Sequence, residues 1–165
     1  MGTNNSDKHD DLPVVAPDQH WRLDAPDDGR FWNFYDNLKE IERATLQAAL
    51  DHVLAVYGND ICSTSWGKAL GGGLYEFRIR LSLDTILREY GAPESNVEIP
   101  RRLAGRPCLL RVFCTFHGDK IILLLGGYNK GKDPSKKRQN KEISRARREL
   151  KRWRNARTAG GGGQG

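Results

Sequence analysis

The sequence predicts an α+β domain, with two N-terminal helices packed on a small antiparallel sheet and a basic C-terminal helix. Three observations carry this. Apolar and aromatic residues recur at helical spacing over residues 31–57, three later stretches are rich in β-branched, leucine and aromatic residues, and residues 135–157 combine a basic surface with an apolar seam. A chain of 165 residues has room for one hydrophobic core rather than two. A single domain over residues 21–157 is therefore expected, preceded by a disordered acidic arm (1–20) and followed by a flexible glycine-rich tail (158–165).

The arm carries Pro13, Pro17 and many aspartates, too little apolar surface to offset the entropy of ordering it. Trp21, Arg22 and Leu23 read as a short edge strand, with a turn at residues 26–29. Phe31, Trp32, Phe34, Tyr35 and Leu38 then form a short helix whose aromatics are expected in the core. Residues 39–57 form a longer helix with Leu46, Ala49, Leu50, Val53 and Tyr57 on one side, stopped by Gly58. Residues 73–81 alternate loosely, as a half-buried strand does. Residues 82–106 read as a peripheral insertion with one helix over 83–90. Residues 107–116 and 120–125 form an antiparallel hairpin through His117-Gly118-Asp119. The pair Gly126-Gly127 is expected to end the second of these strands and release Tyr128 into a loop. In the last helix Ile143, Ala146, Leu150 and Trp153 make the seam that docks it. One face of the sheet packs on helices, and the other is expected to be free for a ligand.

No apolar run approaches the roughly 20 residues of a membrane span, and the polar N-terminus lacks the apolar stretch of a secretory signal. A cytoplasmic protein is expected. The three cysteines, Cys62, Cys108 and Cys114, form no CxxC pair and have no histidine cluster at ligand spacing, so they read as reduced thiols and not as a zinc site. The net charge of +6 is unevenly distributed. The start of the chain is acidic, whereas from Lys130 to Arg157 only Asp133, Glu142 and Glu149 oppose a dense run of lysine and arginine. Such a run attracts polyanions, because phosphate contacts release condensed counterions.

There is no Ser-His-Asp order, HExxH, P-loop or GxGxxG context. Basic residues on adjacent strands remain as candidates. Arg78 and Arg80 are two apart and would share a strand face. Arg111 lies inside an apolar strand, where an isolated charge is costly. A salt bridge to Glu76 or another carboxylate is its structural explanation; a phosphate site is its functional one. The following loop adds Tyr128, Lys130 and Lys132, and the helix start adds Lys136, Lys137 and Arg138. RNA is cleaved without metal or cofactor when its own 2′-hydroxyl attacks the neighbouring phosphate. Arginine forks suit the charge that then develops, while lysine or tyrosine can move protons.

Three stretches together resemble a known family. Gly73-Leu74-Tyr75-Glu76-Phe77-Arg78, then Leu110-Arg111-Val112-Phe113, then residues 121–132 followed by Glu142-Ile143 and Ala146-Arg147 are similar to the HigB-like, phage Gp49-type branch of the RelE/ParE toxin superfamily. The resemblance covers residues 29–154. It implies a RelE-like fold and a type II toxin, monomeric when free, inhibited by a cognate antitoxin and cleaving mRNA on the ribosome. By position it implies roles in catalysis and RNA binding for Arg78, Arg80, Arg111, Tyr128 and Lys130, while the basic run itself offers Lys132, Lys136, Lys137 and Arg138 as RNA-binding residues. RelE-type enzymes have a proton-accepting lysine where this chain has Arg78, and arginine is a poor base. The base is therefore unassigned. A gyrase-inhibiting toxin of the ParE type, a non-catalytic nucleic-acid-binding module and a homologue without remaining activity are the alternatives.

Overall fold

The computed structural model describes residues 15–91, 99–102 and 104–161. A short strand, β1 (Arg22–Asp24), leads into α1 (Arg30–Asp36) and α2 (Glu40–Ala49), which continues through a π-helical turn (Leu50–Leu54) into one last turn, α3 (Ala55–Tyr57). A 3-10 segment (Gly58–Ser63) is followed by β2 (Gly67–Gly71), β3 (Leu74–Ile79), α4 (Leu83–Tyr90), β4 (Leu110–His117), β5 (Ile121–Asn129) and α5 (Lys136–Gly161). The strands form one sheet in the order β1-β5-β4-β3-β2. Strand β1 runs parallel to β5, and all other neighbours are antiparallel.

Period-two alternation sorts the sheet's side chains into two layers. Phe77, Ile79, Leu110, Val112, Cys114, Ile122 and Leu124 face the helices α1, α2 and α4, where Phe31, Leu46, Val53 and Ile86 complete the main core. Leu74, Phe113, Leu123, Leu125 and Tyr128 face the other way and pack under Ala146 and Leu150 of α5. The helix α2–α3 ends where expected: Gly58 has a φ of +53°, and a Cβ there would collide with the Trp21 indole.

Several expectations are corrected. The sheet is mixed, because the edge strand at Arg22–Asp24 pairs in parallel with β5, and β2 was not anticipated, its glycines and lysine giving no strand pattern. The second face is not free, since the apolar seam of α5 lies on it. The Gly126-Gly127 pair does not end the strand. Cys114 pairs with Leu124 and Phe113 with Gly126, so Leu125 is an extra residue in β5 and makes a β-bulge. That bulge shifts the alternation by one and turns Tyr128, buried and within the strand, onto the α5 face. The helix in residues 82–106 is not peripheral: Ser82 caps it by accepting from Thr85 N–H, and Ile86 is fully buried against the main core. Of the expected arm, residues 1–14 lie outside the described residues; Pro17–Gln19 form a 3-10 turn, and Lys120 donates to the Gln19 carbonyl at 2.9 Å. Of the expected tail, residues 158–161 extend α5 and residues 162–165 lie outside the described residues.

Two devices fix α5 to the sheet beyond its apolar seam. The β2–β3 turn has positive φ at Gly71, Gly72 and Gly73, which aims its carbonyls at the helix. Arg147 donates to the Leu70 and Gly71 carbonyls at 2.6 and 3.0 Å, and Arg154 donates to that of Gly72 at 3.0 Å. Further along, the His117 ring lies 4.6 Å from that of Trp153, over which Arg157 sits at 4.6 Å. Burial lowers the His117 pKa, and the positive charge of Arg157 lowers it further; Asp24 and Arg22 of β1 act in opposite directions. The folded state thus binds this proton more weakly than the unfolded chain. Stability from His117 is fully present above its unfolded pKa of about 6.5 and is lost as pH falls toward the lowered folded value. The urea midpoint should therefore fall more between pH 7.5 and 5.5 for the wild type than for His117→Phe. Parallel pH profiles would show that His117 contributes nothing to the docking of α5.

Candidate functional site: a basic row across three strands

The sheet register brings three of the expected residues into one row. Arg78 of β3 pairs with Arg111 of β4, and Arg111 pairs with Tyr128 of β5. All three face the α5 side, near the helix's first turns. Glu76, two residues before Arg78 on the same face, is completely buried beneath them. Its Oε1 accepts from Arg78 Nε at 2.7 Å and lies 3.9 Å from Arg111 Nε, while Oε2 accepts from Gln139 Nε2 of α5 at 3.4 Å.

Arg111 is the unusual member. Its side chain is only 6% exposed, and Nη1 donates to the Leu110 carbonyl at 3.3 Å. Its Nε has no hydrogen-bond partner among the described residues. Burial lowers the pKa of this guanidinium, and the Glu76 carboxylate counteracts that. The salt-bridge explanation of Arg111 therefore holds in part: at 3.9 Å the pair is an ionic contact without a hydrogen bond, whereas Arg78 makes the short one.

Lys130 follows β5 in a turn and is half-buried. Desolvation lowers its pKa first, and the charges of Arg111, Arg78 and Arg80 add to that, Glu76 opposing. Arg80 lies just past the end of β3 and is exposed, so it does not extend the strand face as expected, yet its charge reaches both Arg111 and Lys130. Burial raises the Tyr128 pKa, with Glu76 adding to the effect, and the phenol stays protonated. Its buried hydroxyl has no hydrogen-bond partner among the described residues, and the ring stacks on Phe113 with centroids 6.1 Å apart.

The expected RNA-binding residues divide. Arg138 joins the site, its guanidinium 5.7 Å from the centre of the Tyr128 ring. Lys132 lies on the rim of a cleft between α1 and α5. Lys136 and Lys137 are exposed in the first turn of α5 and stand apart from the row. There Ser135 Oγ caps the helix by accepting from Arg138 N–H at 3.1 Å. Two lysines at the positive end of the helix dipole favour an anion beside them.

Sequence reasoning missed three contributors. Glu142, buried on α5, accepts from Arg138 and Arg145 at 3.0 Å each. Its signal was present: a carboxylate beside the apolar seam, three and four residues from arginines. Gln139 reaches Glu76 across 63 residues of chain. Asn129 donates to Glu42 at 2.7 Å, which ties the end of β5 to the start of α2, where Glu42 also accepts from Lys39 N–H. Nothing local in the sequence signals either of those two contacts.

Comparison with protein-family models, curated proteins and solved structures finds no match. The chemistry of the site rests on its residues. Replacing Glu76 with alanine leaves two neighbouring guanidiniums without their shared carboxylate. Removing one partner of a buried ion pair costs about 3–5 kcal/mol, and a loss of that order is expected in chemical denaturation of Glu76→Ala. The double variant Glu76→Ala, Arg111→Met should recover most of it. A loss below about 1 kcal/mol, in the range of an exposed ion pair, would show that Glu76 does not hold the row together.

Proposed function

We propose that this chain is a cytoplasmic, RNA-directed toxin of the RelE/HigB kind, an endoribonuclease that cleaves mRNA on the ribosome without metal and is held inactive by a cognate antitoxin. The observation that carries the reading is the Arg78–Arg111–Tyr128 row, with the charge of Arg111 inside the sheet and its Nε unmatched. A buried guanidinium with one N–H left unmatched can be completed by an anion, and a phosphodiester supplies oxygens at the spacing of an arginine fork.

In this reading Arg78 and Arg111 hold the scissile phosphate and stabilise the negative charge that grows on it. Lys130, its pKa lowered by burial and by three arginines, takes the proton from the attacking 2′-hydroxyl. Lysine at this position meets the need that Arg78 cannot. The protonated Tyr128 hydroxyl, without a hydrogen-bond partner among the described residues, is the donor for the leaving 5′-oxygen. Glu76 touches no substrate and orients both arginines.

The charge of α5 supports the row over the helix as the centre of function. Arg138 and Arg145 pair with Glu142, Arg147 and Arg154 bind the β2–β3 turn, and Arg152 pairs with Glu149. Much of the basic run is thus committed to intramolecular contacts. The exposed Lys137, Lys141, Arg148 and Lys151 favour the second reading, a non-catalytic nucleic-acid-binding module, because their spacing sets them along one helix face. Salt-sensitive RNA binding without cleavage, on or off the ribosome, would establish that reading.

The test is inducible expression in a bacterial host, with 5′-end mapping of mRNA, of the wild type beside Arg111→Lys. The lysine keeps a positive charge beside Glu76 but loses the fork. Growth arrest with in-frame cuts is expected for the wild type, and both should vanish in the variant while the thermal midpoint stays within a few degrees. Arrest without cuts would replace the reading with a gyrase-directed toxin of the ParE type, and no arrest would leave the binding module. On purified ribosomes, Lys130→Met should slow cleavage roughly 10²–10⁴-fold and flatten a rate that otherwise rises with pH.

A further inference from the structure

At Tyr128, α1 and the first turns of α5 enclose a cleft of about 260 Å³. Its floor is the end of β5. A Cβ on Gly127 would lie 2.6 Å from the Phe34 ring and 2.6 Å from the Arg111 carbonyl, so glycine is what lets α1 approach and sets Phe34 at the floor. Four cationic side chains line the cleft, Arg30, Lys132, Arg138 and Arg145, against one carboxylate, Glu142. That carboxylate already accepts from Arg138 and Arg145 through the same oxygen. Among the described residues, neither Arg30 nor Lys132 takes part in an ion pair.

The wall formed by α1 is polar without being charged. Asn37 Nδ2 donates to the Asn33 carbonyl at 2.7 Å and to Asn33 Oδ1 at 3.3 Å, which fixes two amides one turn apart at the mouth. The Tyr128 hydroxyl belongs to a residue common to both sites, which pairs with Arg111 in the row and lines the cleft. Its ionisation is influenced by Glu76 and Arg111 on the row side and by Glu142 and Arg138 on the cleft side. It is buried and has no hydrogen-bond partner among the described residues, so an oxygen arriving at this point would satisfy it. An aromatic ring, fixed amides and excess positive charge in one concave site match the three parts of a nucleotide: its base, the polar edge of that base, and its phosphate.

We propose that this cleft is a nucleotide subsite, taking one unpaired ribonucleotide with its phosphate on Arg30 and Lys132 and its base against Phe34 and the Asn33–Asn37 amides. It rests on the reading of the row as an RNA site, and it extends that site by one nucleotide along the strand. The row acts on the phosphate, and the cleft holds the neighbouring base. Base preference at that position is then set by α1, far in sequence from the catalytic residues.

The experiment is an amide NMR titration of the full chain with nucleoside 5′-monophosphates, and separately with ribose 5-phosphate, on the wild type, Arg30→Gln and Asn37→Ala. Both substituted residues are exposed, and the unperturbed spectrum reports that each variant is folded. Saturable shifts at Gly127, Asn129 and the Asn33 and Asn37 side-chain amides are expected. Ribose 5-phosphate should bind more weakly than the nucleotides, and Arg30→Gln should weaken nucleotide binding about tenfold, the loss of one charge-assisted hydrogen bond. Equal binding of ribose 5-phosphate, shifts confined to residues 136–151, or unchanged affinity in both variants would overturn the subsite. Messenger RNA cleavage by the same preparations separates the two claims. Cleavage without nucleotide shifts at the cleft removes the subsite and leaves the ribonuclease; nucleotide binding at the cleft without cleavage removes the ribonuclease and leaves the subsite.

Discussion

A single carboxylate buried in the middle of the sheet governs the rest of this structure. Glu76 is fully enclosed between β3, β4 and α5, and a charge in that position is tolerated only when paired and hydrogen-bonded. Arg78, Arg111 and Gln139 provide the pairing. The strand register, the placement of both arginines and the docking of α5 are thereby one problem with one solution. A slip of one residue in β3 would turn Glu76 toward Phe31 and Leu46 in the apolar core and leave Arg111 alone beneath the helix.

The bulge in β5 is the second constraint. Without the extra residue at Leu125, strict alternation would point Tyr128 into the layer shared with α1 and α2. With it, Tyr128 stands beside Arg111 and is common to the arginine row and the cationic cleft. The sequence marks this place clearly with Gly126-Gly127, but the mark has two meanings. A glycine pair in a strand pattern signals either an end or a bulge. What decides is distant: a Cβ at Gly127 would meet Phe34 of α1.

The legible parts of the fold are those set by local periodicity. The helices α1, α2 with its continuation to Tyr57, α4 and most of α5, and the hairpin of β4 and β5, follow from apolar spacing and from stops such as Gly58. Strand β2 was hidden because Gly67-Lys68-Ala69-Leu70-Gly71 has no β-branched residue and is held by pairing with β3. The cover on the second face was half visible: the seam of Ile143, Ala146, Leu150 and Trp153 required a surface to dock on, and only the sheet offered one. In the site, Arg78 and Arg111 stood out as charges inside strands. The cleft did not, because Arg30, Asn33 and Asn37 look like the ordinary solvent face of a helix until β5 and α5 close around them.

The central claim is that the arginine row acts on an RNA phosphate through the RNA's own 2′-hydroxyl. The most direct measurement uses programmed ribosomes carrying a message with a single 2′-deoxynucleotide immediately 5′ of the mapped cut, beside the all-ribose message, with mass analysis of the products. The expected result is a 2′,3′-cyclic phosphate on the all-ribose product and no cut at the deoxy position, with other sites still cleaved. Cleavage of the deoxy message at an undiminished rate would contradict the account.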